Sequence, residues 1–355
     1  MKTFQSIRRL SVVPALSLMI LSVGCRGPAD PMPSESTPPP VEMDRPAPIN
    51  VVTGDQINSA TYQAPPEVDG EQTVVPAVAR AQVLLDRAGF SPGVTDGRFG
   101  ENIRQAIAEY QERNGLPVDG RLSQVLYAHL TGSSPDDVVS RYVLTEEDVA
   151  GPFAPSIPRD LGEQATLEHL AYRSASELLA ERFHMDEQFL RALNPNADFA
   201  RAGEEIFVTN PRRAPIGGTV ARIEVDADER AVRAYDASGT LLAFYQATIG
   251  SMESPSPTGR MTVTGVAPNP TYTYDLRRVD YAGDRITRRL VIAAGPNNPV
   301  GTTWIDLSED TYGIHGTPNP DIVGKNASNG CVRLTNWDVQ HLAVAVRPGV
   351  EVVFV

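Results

Sequence analysis

Of the side chains in this 355-residue sequence, its two cysteines and five histidines are best suited to covalent chemistry, and one of each lies in a short stretch near the C-terminus. There Tyr312-Gly313-Ile314-His315-Gly316-Thr317 is followed by Ile322-Val323-Gly324 and then by Ser328-Asn329-Gly330-Cys331-Val332-Arg333-Leu334. A thiol with a reference pKa of about 8.5 is only a few per cent thiolate at neutral pH, so a nucleophilic cysteine needs a base or a positive dipole beside it. His315 is the obvious supplier, since an imidazole can take the thiol proton and later return it to a leaving amine. Gly330 lets the backbone approach closely and lets main-chain N–H groups point at a developing oxyanion. Arg333, two residues beyond the thiol, would point the same way on a strand and could hold a carboxylate by a bidentate contact. Each element has a plainer reading: a buried cysteine as a small hydrophobe, a histidine satisfied in a core, an arginine in a surface ion pair. Their conjunction favours catalysis.

Other parts of the chain must position these groups. Its length exceeds one ordinary domain, and Pro-rich stretches divide it into compact units. A formal net charge of −13 without a Lys/Arg-rich block argues against a nucleic-acid partner. Lys2, Arg8 and Arg9 precede an apolar run from Leu10 to Val23, shorter than the roughly 20 residues that cross a bilayer, so residues 1–25 read as an export signal. If Cys25, which ends it, carries lipid, Cys331 has no disulfide partner. Residues 26–72, with Pro38-Pro39-Pro40 and few large apolar side chains, read as a disordered tether.

Val78, Ala81, Leu85 and Ala88, then Ile103, Ala106, Ile107 and Tyr110, form helical core stripes in a unit spanning 73–133. Two Asp-Gly turns, Asp96-Gly97 and Asp119-Gly120, punctuate it, and Ser123 reads as the N-cap of a last short helix. A linker over 134–160 is expected next, then helical faces and a closing strand Glu205-Ile206-Phe207-Val208 within 161–211. From Gly218 to Val355, period-two runs such as Ala221–Val225 and Arg260–Thr264 predict a mainly-β domain, with a helix from about Asn336 to Ala345.

Several of these stretches resemble known families. Leu21-Ser22-Val23-Gly24-Cys25 resembles a bacterial lipobox, which implies lipidation of Cys25, and Arg26 after it favours the outer membrane by family analogy. Leu84-Leu85, Gly89-Phe90, Asp96-Gly97, Phe99-Gly100, Tyr110-Gln111, Gly115-Leu116 and Asp119-Gly120 resemble the three-helix peptidoglycan-binding domain of cell-wall hydrolases. Leu179–His184, Leu190…Asn194-Pro195 and Ala202–Ile206 resemble a LysM module, which implies glycan binding beside the alternative of a pure packing module. The stretch from Tyr312 to Arg333, with Pro255–Gly259 and Pro296–Gly301, resembles the YkuD-type L,D-transpeptidase catalytic domain. That resemblance implies a multidomain exported protein whose Cys331 forms a thioester with a stem tetrapeptide, expels D-Ala and passes the acyl group to an amine. It further implies that Gly316 orients His315 through its carbonyl, and that Asn329, Gly330 and Cys331 supply oxyanion donors. Tyr312 and Ser328 join Arg333 as substrate-binding candidates. One position departs from the pattern: Asn329 stands where part of the family has a second histidine, leaving His315 as the nearby base.

Competing classes remain. Transfer to water would make an L,D-carboxypeptidase. A papain-like endopeptidase reverses the observed order, placing its cysteine first. A zinc peptidase lacks support because His129, His169, His184, His315 and His341 are scattered without paired ligand spacing, so neither a metal nor any other cofactor is expected. A non-catalytic wall-binding lipoprotein is the third class. The expected partners are peptidoglycan peptide and glycan, a membrane through the lipid, and a protein acceptor if a lysine resolves the thioester.

Overall fold

The computed structural model describes residues 52–65, 73–250, 258–274, 289–325 and 331–355. The export-signal, lipobox and most of the tether expectations, with Ser328, Asn329 and Gly330, lie outside the described residues, as does Pro255-Ser256-Pro257.

The expected tether is partly ordered. Helix α1 (Gly54–Asn58) carries a capping box in which the Thr53 hydroxyl accepts from Gln56 N and the Gln56 side chain accepts from Thr53 N. Ile57 and Val52 are buried, and the Asn58 side chain bridges to the backbone of Val138 and Val139. Two apolar anchors and a complete cap suffice to order a short segment that composition alone marks as loop.

Helices α2 (Pro76–Arg87), α3 (Glu101–Arg113) and α4 (Gln124–Ser133) bury the stripes read from sequence. Pro76 opens α2, where its missing N–H costs nothing. The Ser123 hydroxyl caps α4 by accepting from Leu126 N at 3.2 Å. The two Asp-Gly turns are held by one device used twice. The Gln82 amide donates to Asp96 and accepts from Asp96 N and Gly97 N; the Gln111 amide treats Asp119 and Gly120 in the same way.

Residues 134–160 hold more than a linker: β1 (Val139–Val143) lies there, with α5 (Glu146–Ala150) after it. The fold supplies the reason. β1 pairs antiparallel with β2 (Glu205–Thr209), Val139 opposite Thr209, so the module that begins at 161 in the sequence reading recruits its second strand from the interval before it. Helices α6 (Leu161–Gln164), α7 (Ala175–Arg182) and α8 (Glu187–Leu193) complete this unit. Asn194 joins helix to strand, donating to Phe207 O and accepting from Phe207 N.

The C-terminal part is mainly β. Strands β3 (Arg222–Asp226), β4 (Ala231–Tyr235), β5 (Leu241–Gln246), β6 (Gly259–Pro268), β7 (Tyr272–Tyr274), β8 (Leu290–Ile292), β9 (Thr303–Leu307), β10 (Gly313–His315), β11 (Val332–Arg333) and β12 (Glu351–Phe354) follow in sequence. Among the described residues, β7 and β8 pair with each other, and the rest form one sheet ordered β11-β10-β9-β6-β12-β3-β4-β5. The chain leaving β5 at one edge reaches β11 at the other, where Thr248 and Arg333 exchange two backbone hydrogen bonds of 2.8 Å. The sheet therefore curls around a core of Ile223, Val225, Val263, Ile305, Ile314 and Val332, closed by Val339 and Leu342 of α9 (Asn336–Ala343).

The modules share buried surface. Phe244 of β5 lies in the apolar core of the helical unit, and its backbone bonds Gly89 and Ser91. At the junction Arg213, 4% exposed, is sandwiched between Asp86 of α2 and Asp338 of α9. The Ser91 hydroxyl donates to Asp338, while His184, its ring stacked on Trp337, bonds Asp86 at 2.7 Å. Burial depresses His184 to about 4, so it sits neutral and Nδ1–H donates to the carboxylate.

Ile57→Ala is expected to lower unfolding free energy by about 2–5 kcal/mol, the usual range for emptying a buried isoleucine site. Urea denaturation of the full chain checks this, because a disordered tether would give no change.

Candidate active site

The site is built by two very short strands. In the parallel pair β10–β11, Ile314 lies against Val332 and His315 against Arg333. Alternate residues of a strand face the same side, so Ile314 and Val332 enter the core while His315 and Arg333 emerge on the opposite face. One residue back along the register, Gly313 falls beside Cys331, and its N–H donates to the thiol sulfur. Cys331, a half-buried thiol, thus immediately precedes β11, and His315 ends the adjacent strand β10.

The imidazole of His315 is 3% exposed and fixed on two sides. Nδ1 lies 2.7 Å from the Gly316 carbonyl, to which it donates, so Nε2 is left as the acceptor nitrogen. Its ring stacks on Trp304 of β9, directly opposite in the antiparallel pair, with centroids 5.3 Å apart and planes 12° from parallel. Trp304 Nε1 in turn donates to Asp306 at 3.0 Å. A side chain at 313 would collide with the Trp304 ring, which explains the glycine there.

Electrostatics keep both groups neutral at rest. Burial lowers His315 to about 3, with the nearby Arg333 guanidinium adding to the shift and the Gly316 hydrogen bond opposing it. Burial raises the Cys331 thiol, against smaller opposing effects of the Gly313 N–H and Arg333. The S–H points at the Thr311 carbonyl, 3.7 Å away. Thr311 adopts φ 73°, a left-handed conformation that a β-branched residue takes only under constraint, at a cost of about 1–3 kcal/mol. Both shifts favour thiol and imidazole over thiolate and imidazolium.

The structure unites Cys331, His315, Gly316 and Arg333. Among the described residues, the buried Nε of Arg333 has no hydrogen-bond partner. Tyr312 goes elsewhere: it is half-buried against the core of the sheet. Sequence reasoning missed Trp304 and Thr311; Gly313, a glycine inside an apolar strand, was the available signal for the first. Among the described residues, no group of three or more His, Cys, Asp or Glu side chains could hold a metal ion.

The model of the L,D-transpeptidase catalytic domain matches residues 220–355, and that of a peptidoglycan-binding domain matches residues 75–130. The chain is 30% identical over 181 residues to YkuD of Bacillus licheniformis, named as an L,D-transpeptidase, covering 50% of this chain and 90% of that protein. With YcfS of Escherichia coli K12, also named as an L,D-transpeptidase, it shares 30% identity over 186 residues, 50% of this chain and 57% of that one. A solved L,D-transpeptidase from Mycobacterium smegmatis aligns at 15% identity over 45% of this chain and 76% of its own, with a TM-score of 0.32, too low to carry an argument. On the sequence evidence the chain belongs to the L,D-transpeptidase family. It joins a helical peptidoglycan-binding region to a mainly-β catalytic domain, an acyltransferase of peptidoglycan, whose place of work is the cell wall or periplasm.

Alkylation of Cys331 by iodoacetamide should keep rising with pH beyond the ordinary thiol midpoint of about 8.5, because burial holds the proton on sulfur. It should show no inflection between about pH 5 and 8, since His315 is already neutral there. A rate plateau reached by pH 7 would contradict both assignments.

Proposed function

We propose that Cys331 is the nucleophile and His315 the general base of a peptidoglycan L,D-transpeptidase. The supporting observation is the β10–β11 register, which pairs His315 with Arg333, two residues after Cys331, while Nδ1 of His315 is engaged by Gly316. As sulfur attacks the carbonyl of the third residue of a stem tetrapeptide, His315 Nε2 takes the S–H proton. The carbon–nitrogen bond to the terminal D-Ala then breaks, the departing amine takes that proton from the imidazolium, and a thioester remains. An acceptor amine attacks the thioester and gives up a proton to His315; a new amide forms and the thiol is regenerated. The amine of a second stem gives a crosslink, and a protein lysine gives attachment to the wall.

The resting protonation favours this order. A high-pKa thiol paired with a low-pKa imidazole holds little thiolate, so proton transfer accompanies bond formation and idle sulfur is protected from oxidation. The Nε of Arg333, buried and without a partner among the described residues, suits a substrate carboxylate; Ser328 is a further substrate-binding position, and backbone N–H groups from Asn329 to Cys331 serve as oxyanion donors.

The accessory units hold the enzyme on its substrate. The β1-α7-α8-β2 unit is LysM-like, and a cavity of about 470 Å³ lined by Phe153, Arg173, Ser174, Arg191 and Phe199 offers aromatic and polar groups for glycan. Residues 1–25 form the signal with Cys25 as the lipidated terminus, and the lipid anchors the protein in the outer membrane.

Incubation with tetrapeptide muropeptide or a carbapenem followed by intact-mass measurement is expected to give a covalent adduct on wild type and none on Cys331→Ala. A Cys331→Ala protein that still releases D-Ala would refute the assignment. His315→Gln should lower the acylation rate by about 10²-fold or more. Arg333→Met should reduce kcat/KM by about 10-fold or more through loss of a charge-assisted contact, while acylation by a small neutral electrophile changes little.

A further inference from the structure

The carbonyl that orients His315 belongs to Gly316, and Gly316 is wedged. A Cβ at 316 would be driven into Oδ1 of Asn336 and would stand 3.3 Å from Gly301 Cα; a Cβ at 301 would meet the same Oδ1 and the backbone of Gly316. Three residues from three separate segments therefore touch without slack, and the Asn336 amide is the only side chain among them. Where that amide sits decides where the Gly316 peptide sits, and hence how the imidazole is turned.

The amide is itself pinned through all its polar groups. Asn336 is 3% exposed; Oδ1 accepts from Thr302 N at 3.1 Å, while Nδ2 donates to Pro296 O at 3.2 Å and to Glu181 Oε2 at 2.9 Å. Thr302 and Pro296 belong to the catalytic domain. Glu181 does not: it lies on α7 of the β1-α7-α8-β2 unit and is 6% exposed. The same unit grips the loop that delivers Gly301. Leu170 N donates to Ala294 O, Asn297 N to Leu170 O, and the Asn297 amide to Ala171 O and Glu177.

From this chain of contacts we infer that Glu181 is a positioning residue of the active site: through Asn336 and Gly316 it sets the orientation of His315, so the accessory unit completes the catalytic machinery of its neighbour. The inference rests on the reading of Cys331 and His315 given above. A tilt of the Gly316 carbonyl moves Nε2 relative to sulfur, and misplacement of about 1 Å from a remote change can cost 10²-fold in rate. Burial, reinforced by neighbouring Glu177, raises the Glu181 carboxyl to about 8, so near neutral pH it is protonated and its Oε2 accepts as a neutral carbonyl. Glutamine reproduces that acceptor; methionine fills the space without it.

The test uses the full exported chain, with D-Ala release from a tetrapeptide stem measured against substrate concentration. Glu181→Met is expected to lower kcat at least tenfold with KM within twofold, and Glu181→Gln to stay within twofold of wild type. Asn336→Ala should match Glu181→Met, and the double variant should fall no further, because both break one chain. Wild-type kcat in Glu181→Met, equal losses in the Met and Gln variants, or a loss confined to KM would each overturn the inference. Should Glu181→Met fail to fold by circular dichroism, Asn336→Ala decides in its place, wild-type kcat there being the overturning result. Wild-type protein is weighed in parallel for the Cys331 adduct: no adduct sinks the nucleophile assignment, whereas an adduct with indifferent Glu181 variants sinks this inference alone.

Discussion

The pairing of β10 with β11 is the constraint on which the rest of the site depends. Two residue pairs define it, Ile314 with Val332 and His315 with Arg333. Because side chains alternate across a strand, a slip of one residue would send Cys331 into the core and Val332 to the surface. Burial of Ile314 and Val332 at 0% and 1% exposure opposes such a slip, so the hydrophobic effect fixes the chemical register. The exchange between Thr248 and Arg333 adds a second restraint by tying β11 to the far end of the curled sheet.

Burial also determines which protonation states the site holds. His315 is buried against Trp304 and close to the positive charge of Arg333, which leave an extra proton poorly solvated and repelled, while the Gly316 carbonyl favours it by a smaller effect. The same enclosure disfavours a thiolate. A site of this kind holds its components neutral and ordered until a substrate carbonyl arrives, and its rate then depends on geometry more than on a preformed ion pair. The left-handed Thr311 fits this picture, since its strained backbone aims a carbonyl at the sulfur.

The arrangement of the modules follows from buried polar groups that each need partners from a neighbour. Arg213 cannot be left alone at 4% exposure, and its two carboxylates come from α2 and α9. Removing Arg213 would leave two buried carboxylates without their cation, a larger penalty than the net worth of the intact cluster. On the opposite side of α9, Asn336 and Asn297 bind the β1-α7-α8-β2 unit. Apolar contact through Phe244 fills the space between these polar locks. The accessory units are thereby held to the catalytic sheet by groups that demand specific partners, which gives the assembly a defined geometry.

Much of the chain was legible from its residues. Helical stripes at Val78–Leu85 and Ile103–Tyr110, the Ser123 cap, the period-two strands and the α9 helix announce themselves because they depend on neighbours within a few positions; α9 ends at Ala343, two residues short of expectation. Cys331, His315 and Arg333 were legible because chemistry restricts which residue types can serve. Strand β1 was not, since Val139–Val143 is a strand only by virtue of β2 more than sixty residues later, and α1 was hidden because one isoleucine and one valine do not make a pattern. Tyr312 lay in the right stretch yet turned to the core, a matter of which face of a short strand it occupies. By itself, then, the sequence determined the local elements and the reactive groups, both being set by short-range spacing and intrinsic chemistry. Tertiary structure alone decided that His315 leans on Trp304, that Asn336 wedges Gly316, and that Glu181 reaches in from another unit, because each is a contact between segments that only packing brings together.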